Sequence, residues 1–107
     1  YTKQGIKLDE AITLANKANQ LQPGNASIQD SLGWAHYQKK QYQKAREYLE
    51  AANKIDAGNP TILYHLGALY FADGNIKDAR KMLTAALEKS TRFEEAEQAK
   101  KLLSEIQ

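Results

Sequence analysis

A period of 34 residues constrains this chain more than any other feature of it. Laying residues 26–59 over 60–93 gives eight identities: Ile28/Ile62, Leu32/Leu66, Gly33/Gly67, Ala45/Ala79, Arg46/Arg80, Leu49/Leu83, Ala51/Ala85 and Ala52/Ala86. The matches are mostly apolar or small, the residue types that packing selects. The same offset runs back into the first 25 residues, where Ala11 precedes Ala45, Ala18 precedes Ala52, Leu21 precedes Ile55 and Asn25 precedes Asn59. A fixed period of this size means that one supersecondary unit is stacked on copies of itself, each unable to bury its apolar face alone.

The unit is helical. Tyr42, Ala45, Leu49, Ala52 and Ile55 follow one another in steps of three and four, which keeps one face of a helix inward, and no window alternates as a strand would. Pro23-Gly24-Asn25 and Gly58-Asn59-Pro60 end one helix and begin the next, with Asn as N-cap and Pro60 in the first turn. Halfway between them, Lys39-Lys40-Gln41 and Asp73-Gly74-Asn75 split each unit into two helices joined by a tight turn. After residue 93 the period stops matching. Glu94 to Ile106 predicts one further helix, with Ala96, Ala99, Leu102, Leu103 and Ile106 inward and Glu94, Glu95, Glu97, Lys100, Lys101 and Glu105 outward, a polar face suited to ending a stack.

These units resemble tetratricopeptide repeats. Leu32-Gly33, Tyr42, Ala45, Leu49 and Ala52 meet that family's spacing in one unit, and Leu66-Gly67, Tyr70, Gly74, Ala79, Leu83 and Ala86 in the next. Gly33 and Ala45, and likewise Gly67 and Ala79, are read as facing each other where two helix backbones come closest. The chain departs from the family pattern at Gln29 and Leu63, where Trp is frequent, and at Ala57 and Thr91, where Pro is frequent. Lys40 stands where the family prefers Gly and where the following unit has Gly74, so it is expected to occupy a left-handed backbone conformation. The resemblance implies an all-α fold: a right-handed superhelix of antiparallel helix pairs with a C-terminal capping helix. On that register the chain divides into a partial repeat, 1–25, mainly its second helix, full repeats at 26–59 and 60–93, and a cap at 94–107. Tyr1 aligns with position 10 of a repeat, so a longer parent chain is expected. The N-terminal helix then lacks its neighbour, and Leu8, Ala11, Ile12 and Ala15 are expected to be uncovered and available for self-association.

Composition removes most chemistry. There is no cysteine, hence no disulfide, thiolate zinc site or cysteine nucleophile. With 15 Lys+Arg against 13 Asp+Glu the net charge is +2, too balanced for a strong pull toward nucleic acid or anionic lipid. The nearest basic cluster, Lys39, Lys40, Lys44 and Arg46, is followed at once by Glu47 and Glu50. The longest apolar run, Ala68 to Ala72, falls far short of a membrane span. His36 and His65 have no His or Cys three or four residues away to complete a metal pair, and Asp30, Ser31 and His36 diverge around a helix rather than forming a nucleophile site. The glycines stand singly and build no phosphate loop. No enzyme activity, cofactor or metal is expected, and the expected partner is a protein or peptide rather than nucleic acid or membrane.

In tetratricopeptide proteins the concave side is lined mainly by the first helix of each unit. Carried over by position, the lining residues are Ser27, Asp30, Trp34, Tyr37 and Gln38, then Thr61, Tyr64, Ala68, Phe71 and Ala72. Trp34, Tyr37, Tyr64 and Phe71 form an aromatic set suited to anchoring a peptide. Family members that hold a partner's C-terminal carboxylate use Lys, Arg and Asn in the groove. Here the matching positions carry Asp30, Ser31, Trp34, Thr61 and His65, which disfavours that clamp, and Asp30 favours a basic group on the ligand. Two functions compete, a protein-interaction scaffold and a structural spacer of a longer tetratricopeptide protein. The stretches Asp30 to Trp34, Asn59 to Ile62 with His65-Leu66-Gly67, and Phe93 to Ala96 are similar to C-terminal repeats of bacterial envelope and exopolysaccharide-export members of the family, which implies an envelope or periplasmic setting.

Overall fold

The helix boundaries repeat with the period of the sequence. The structure, a computed structural model, describes residues 3–22, 24–89 and 95–106, with side chains from Asp9 onward. Six α-helices lie among these residues: α1 Lys3–Leu21, α2 Ala26–Gln38, α3 Tyr42–Ile55, α4 Pro60–Ala72, α5 Ile76–Lys89 and α6 Ala96–Ile106. Both ends of α2 and α3 recur 34 residues later in α4 and α5. Pro23, Thr91, Phe93, Glu94 and the side chain of Leu8 lie outside the described set.

Local chemistry explains these ends. The Asn25 side chain accepts a hydrogen bond from the Ile28 amide at 3.1 Å, and the Asn59 side chain accepts from the amides of Thr61 at 2.9 Å and Ile62 at 3.4 Å. Each occupies amides that a helix start leaves unpaired, a contribution of about 1 kcal/mol per cap. Helix α2 closes with the Gln41 amide on the His36 carbonyl at 2.9 Å and the Lys40 amide on that of Tyr37 at 2.9 Å. Helix α4 closes the same way, Asn75 on Tyr70 at 2.8 Å and Gly74 on Phe71 at 3.2 Å. This double closure forces the residue past the cap into the left-handed region. Gly74 takes φ +84° and Lys40, at the same place in the period, φ +65°. A side chain is disfavoured there, and Lys40 is exposed with no packing to offset it. Lys40→Gly is therefore expected to stabilise the chain by about 0.5–1 kcal/mol, raising a circular-dichroism melting midpoint by about 3–6 °C.

The chain forms two compact units, residues 1–55 and 56–107. In the first, α2 packs along α3, and α1 packs on α2. Leu32, Ala45, Leu49 and Ala52 have no solvent-exposed surface. A hydrogen bond of 2.6 Å from the Gln29 amide to Asn19 and an ion pair between Lys39 and Asp9 tie α2 to α1. In the second unit α4 packs along α5, and α6 lies on α5 with a lesser contact to α4. Ile62, Leu66, Leu69, Ala79, Leu83, Ala86, Ala96 and Ala99 form its core. Leu102, Leu103 and Ile106 are half-buried on the inward face of α6, while Glu97, Lys100, Lys101 and Glu105 are exposed.

One expected pairing is corrected. Gly33 does not abut Ala45: a Cβ at Gly33 would lie 2.5 Å from Leu49 Cγ and 3.1 Å from the Leu49 amide nitrogen. A Cβ at Gly67 would lie 2.6 Å from Leu83 Cγ and 3.4 Å from the Ala79 carbonyl oxygen. The closest approach falls one helical turn further along the second helix, and a leucine fills the space that the glycine vacates.

Candidate peptide-binding surface

In the first unit, steps of three and four place Ser27, Asp30, Trp34, Tyr37 and Gln38 along one side of α2. Ser27 and Gln38 are exposed, and Asp30, Trp34 and Tyr37 are half-buried. Trp34 and Tyr37 are stacked, with ring centroids 4.6 Å apart and planes 15° from parallel. Tyr42, the first residue of α3, tilts against Tyr37 at 5.9 Å and 40°. The result is a ladder of three aromatic rings with surface left open to solvent. Burial pushes the Tyr37 hydroxyl above its ordinary pKa, and the neighbouring Tyr42 adds to the rise. Tyr37 therefore stays neutral at physiological pH and keeps a proton to donate.

Tyr42 was not among the residues expected to line a groove, because it sits on the second helix and its spacing marks it as inward-facing. The tight turn at 39–41 sets the start of α3 beside the end of α2 and brings its ring to the ladder. His36, only 6% exposed, does structural work on the other side of α2. Its Nδ1 lies 2.7 Å from Gln41 Oε1, and its ring stacks on Tyr48 at 5.5 Å and 5°. One imidazole thus joins the end of α2, the turn and the middle of α3.

In the second unit Thr61, Tyr64, Ala68 and Phe71 follow one another along α4. Thr61, Tyr64 and Phe71 are half-buried, and Tyr64 and Phe71 stand seven residues apart on the same side. Ala72 is exposed. Ala68 is a correction: at 3% exposure it belongs to the interior and has no surface for a partner. An alanine between two aromatic positions on the same side falls below their level. Glu95 is a second correction. Instead of standing out on a solvated face, it is half-buried and accepts a hydrogen bond of 3.2 Å from the Thr61 hydroxyl. The position of Glu95 one full period after Thr61 is the sequence signal that would have placed it near the start of α4. His65, 6% exposed, lies beside Tyr64 with ring centroids 5.6 Å apart.

Among the described residues no group of three His, Cys, Asp or Glu is placed to hold a metal ion, and no helix is long and apolar enough to cross a membrane.

Known proteins supply the context for this geometry. No curated protein matches the sequence. Among solved structures, the first TPR of Spaghetti (RPAP3) bound to an HSP90 peptide is 26% identical, with a TM-score of 0.85 over 97% of this chain and 79% of that one. The type III secretion translocator chaperone SycD of Yersinia enterocolitica is 19% identical, with a TM-score of 0.83 over 96% of this chain and 74% of that one. PcrH, in complex with the chaperone binding region of PopD, is 18% identical, with a TM-score of 0.82 over 96% and 80%. The model of the tetratricopeptide repeat matches residues 36–106. With two thirds of its length under that model, and helix pairs α2/α3 and α4/α5 that repeat every 34 residues, the chain belongs to the tetratricopeptide repeat family.

Proposed function

We propose that this chain is a peptide-binding scaffold whose contact residues lie on the first helix of each pair: Ser27, Asp30, Trp34, Tyr37 and Gln38 on α2, and Thr61, Tyr64 and Phe71 on α4. The observation that carries the reading is the stacked, partly open Trp34–Tyr37 pair, braced from behind by Tyr42. Rings already held in place lose little freedom when a ligand covers them, so their burial goes largely into affinity. The resemblance to a TPR bound to an HSP90 peptide, and the PcrH complex with a segment of PopD, support a peptide or an unfolded protein segment as the occupant.

The ligand is an internal segment carrying apolar or aromatic side chains rather than a free chain terminus. A terminal carboxylate needs cationic or amide donors. On α4 the Thr61 hydroxyl already donates to Glu95, His65 is buried, and the Glu95 carboxylate opposes a second negative charge. The chain acts by binding, as no convergent acid, base or nucleophile stands beside either set of rings.

The test uses a peptide selected on the intact chain from a random display library, titrated calorimetrically into the parent, Trp34→Ala and Tyr64→Ala. Weaker binding by both variants is expected. Unchanged affinity in both would remove α2 and α4 as the contact surface.

A further inference from the structure

The internal repeat provides its own control for α1. By the 34-residue offset, Ala11, Leu14, Ala15, Ala18 and Leu21 of α1 correspond to Ala45, Tyr48, Leu49, Ala52 and Ile55 of α3. In α3 this side is covered by the helix preceding it: Ala45, Leu49 and Ala52 have no exposed surface, and Tyr48 stacks on His36 of α2. The same positions of α5, at Ala79, Leu83 and Ala86, are equally sealed by α4 within their own unit. In α1, Ala11 is exposed, Ala15 and Ala18 are only half-buried, Leu14 is 67% exposed and Leu21 is 83% exposed. The uncovered face is therefore centred on Leu14 and Leu21. This corrects the expectation built on Leu8, Ala11, Ile12 and Ala15, for Ile12 and Ala15 are half-buried while Leu14 and Leu21 stand open.

We infer that this face is a homodimerisation surface, α1 of one chain lying antiparallel on α1 of a second copy. Ala11, Leu14, Ala18 and Leu21 are spaced three, four and three apart, the seam on which two helices interlock, and the alanines leave room for leucines of the partner. The flanking charges choose the occupant. Glu10 and Lys17, both exposed, stand seven residues apart along the same edge of the seam. In an antiparallel pair, the register that sets Ala11 against Leu14 of the other copy also sets Glu10 of each chain against Lys17 of the other, twice by symmetry. The face is thus complementary in charge to itself. A parallel pairing sets like charges side by side. Antiparallel is also the sense in which α2, joined by a tight turn, covers the matching face of α3. The second copy supplies the helix that every other pair in the chain already has.

Light scattering coupled to size exclusion, over a series of loading concentrations, tests this on the intact chain. The parent is expected to rise toward twice its monomer mass. Leu14→Glu with Leu21→Glu is expected to raise the dimer dissociation constant at least about tenfold while leaving the circular-dichroism melt of the monomer in place, since both side chains are exposed. Glu10→Lys is expected to weaken the dimer, and Glu10→Lys with Lys17→Glu to recover it. A parent chain that stays monomeric throughout overturns the inference, as does a dimer indifferent to these changes. A monomer whose melt instead rises on adding a synthetic helix with the sequence of residues 26–38 would assign the face to a different helix, and would equally overturn it.

Discussion

Gly33→Ala is expected to destabilise the chain by about 1–2 kcal/mol, against the usual sign for such a change. An exposed glycine in a helix interior gains about 1 kcal/mol on becoming alanine. Here the added methyl group would sit 2.5 Å from Leu49 Cγ and 2.8 Å from Leu49 Cδ2, where carbons rest at roughly 3.5–4 Å. The obstructing atom is the branch point of a fully buried leucine, not the free end of a long side chain, and the Leu49 amide nitrogen at 3.1 Å stands behind it. The helices must part, an overpacking penalty of about 1–3 kcal/mol that outweighs the propensity gain. Leu49→Ala alone is expected to cost about 2–5 kcal/mol through the cavity it leaves. Combined, the two changes should cost less than their sum by about 1 kcal/mol or more, because the second removes what the first collides with. Denaturant melts of the parent, both single variants and the double variant close this cycle. Strict additivity would mean that glycine at 33 answers to something other than Leu49. The same reasoning holds at Gly67 with Leu83, where the corresponding distances are 2.6 and 2.7 Å.

Trp34→Ala is expected to weaken peptide binding by at least about 2 kcal/mol, roughly 30-fold. The residue is the sole tryptophan of the chain, half-exposed, and held against Tyr37 in a near-parallel stack. Removing it takes away the largest apolar surface on α2 and also frees Tyr37, which then loses rotamer freedom on binding that it does not lose now. Trp34→Phe, which keeps a ring against Tyr37, should restore part of the loss. Tyr64→Ala on α4 is expected to weaken binding by about 1 kcal/mol, as a smaller anchor. Lys81→Ala, on the exposed side of α5, serves as the control that leaves affinity unchanged. Because Trp34 is the only indole, its fluorescence reports binding at this helix directly, and the effect can be measured without a label.

What could be read from the sequence is what local rules determine. The 34-residue register, the helix ends at Asn25 and Asn59, and the left-handed backbone at Lys40 each depend on a few neighbouring residues and their hydrogen bonds. Which residues meet across two helices depends on their axial offset and crossing, which no single helix encodes. Gly33 was for that reason matched to Ala45, one turn short of Leu49. The site divides in the same way. The side of α2 bearing Trp34 and Tyr37 follows from helical spacing, whereas Tyr42 joins the ladder only because the turn carries α3 back alongside α2. Ala68 shares the side of Tyr64 and Phe71 but lies beneath them, since spacing gives direction around a helix and not height above the surface. Glu95 was assigned to solvent from its charge, and the Thr61 hydroxyl instead gives it a partner.

The central claim is that a peptide rests on the first helix of each pair. Amide chemical-shift mapping of the labelled chain, with and without saturating display-selected peptide, addresses it residue by residue. The account predicts that the large shifts cluster at residues 27–38 and 61–71, with the Trp34 indole among the most affected. Shifts confined to α3, α5 or α6, with the Trp34 indole unmoved, would contradict it.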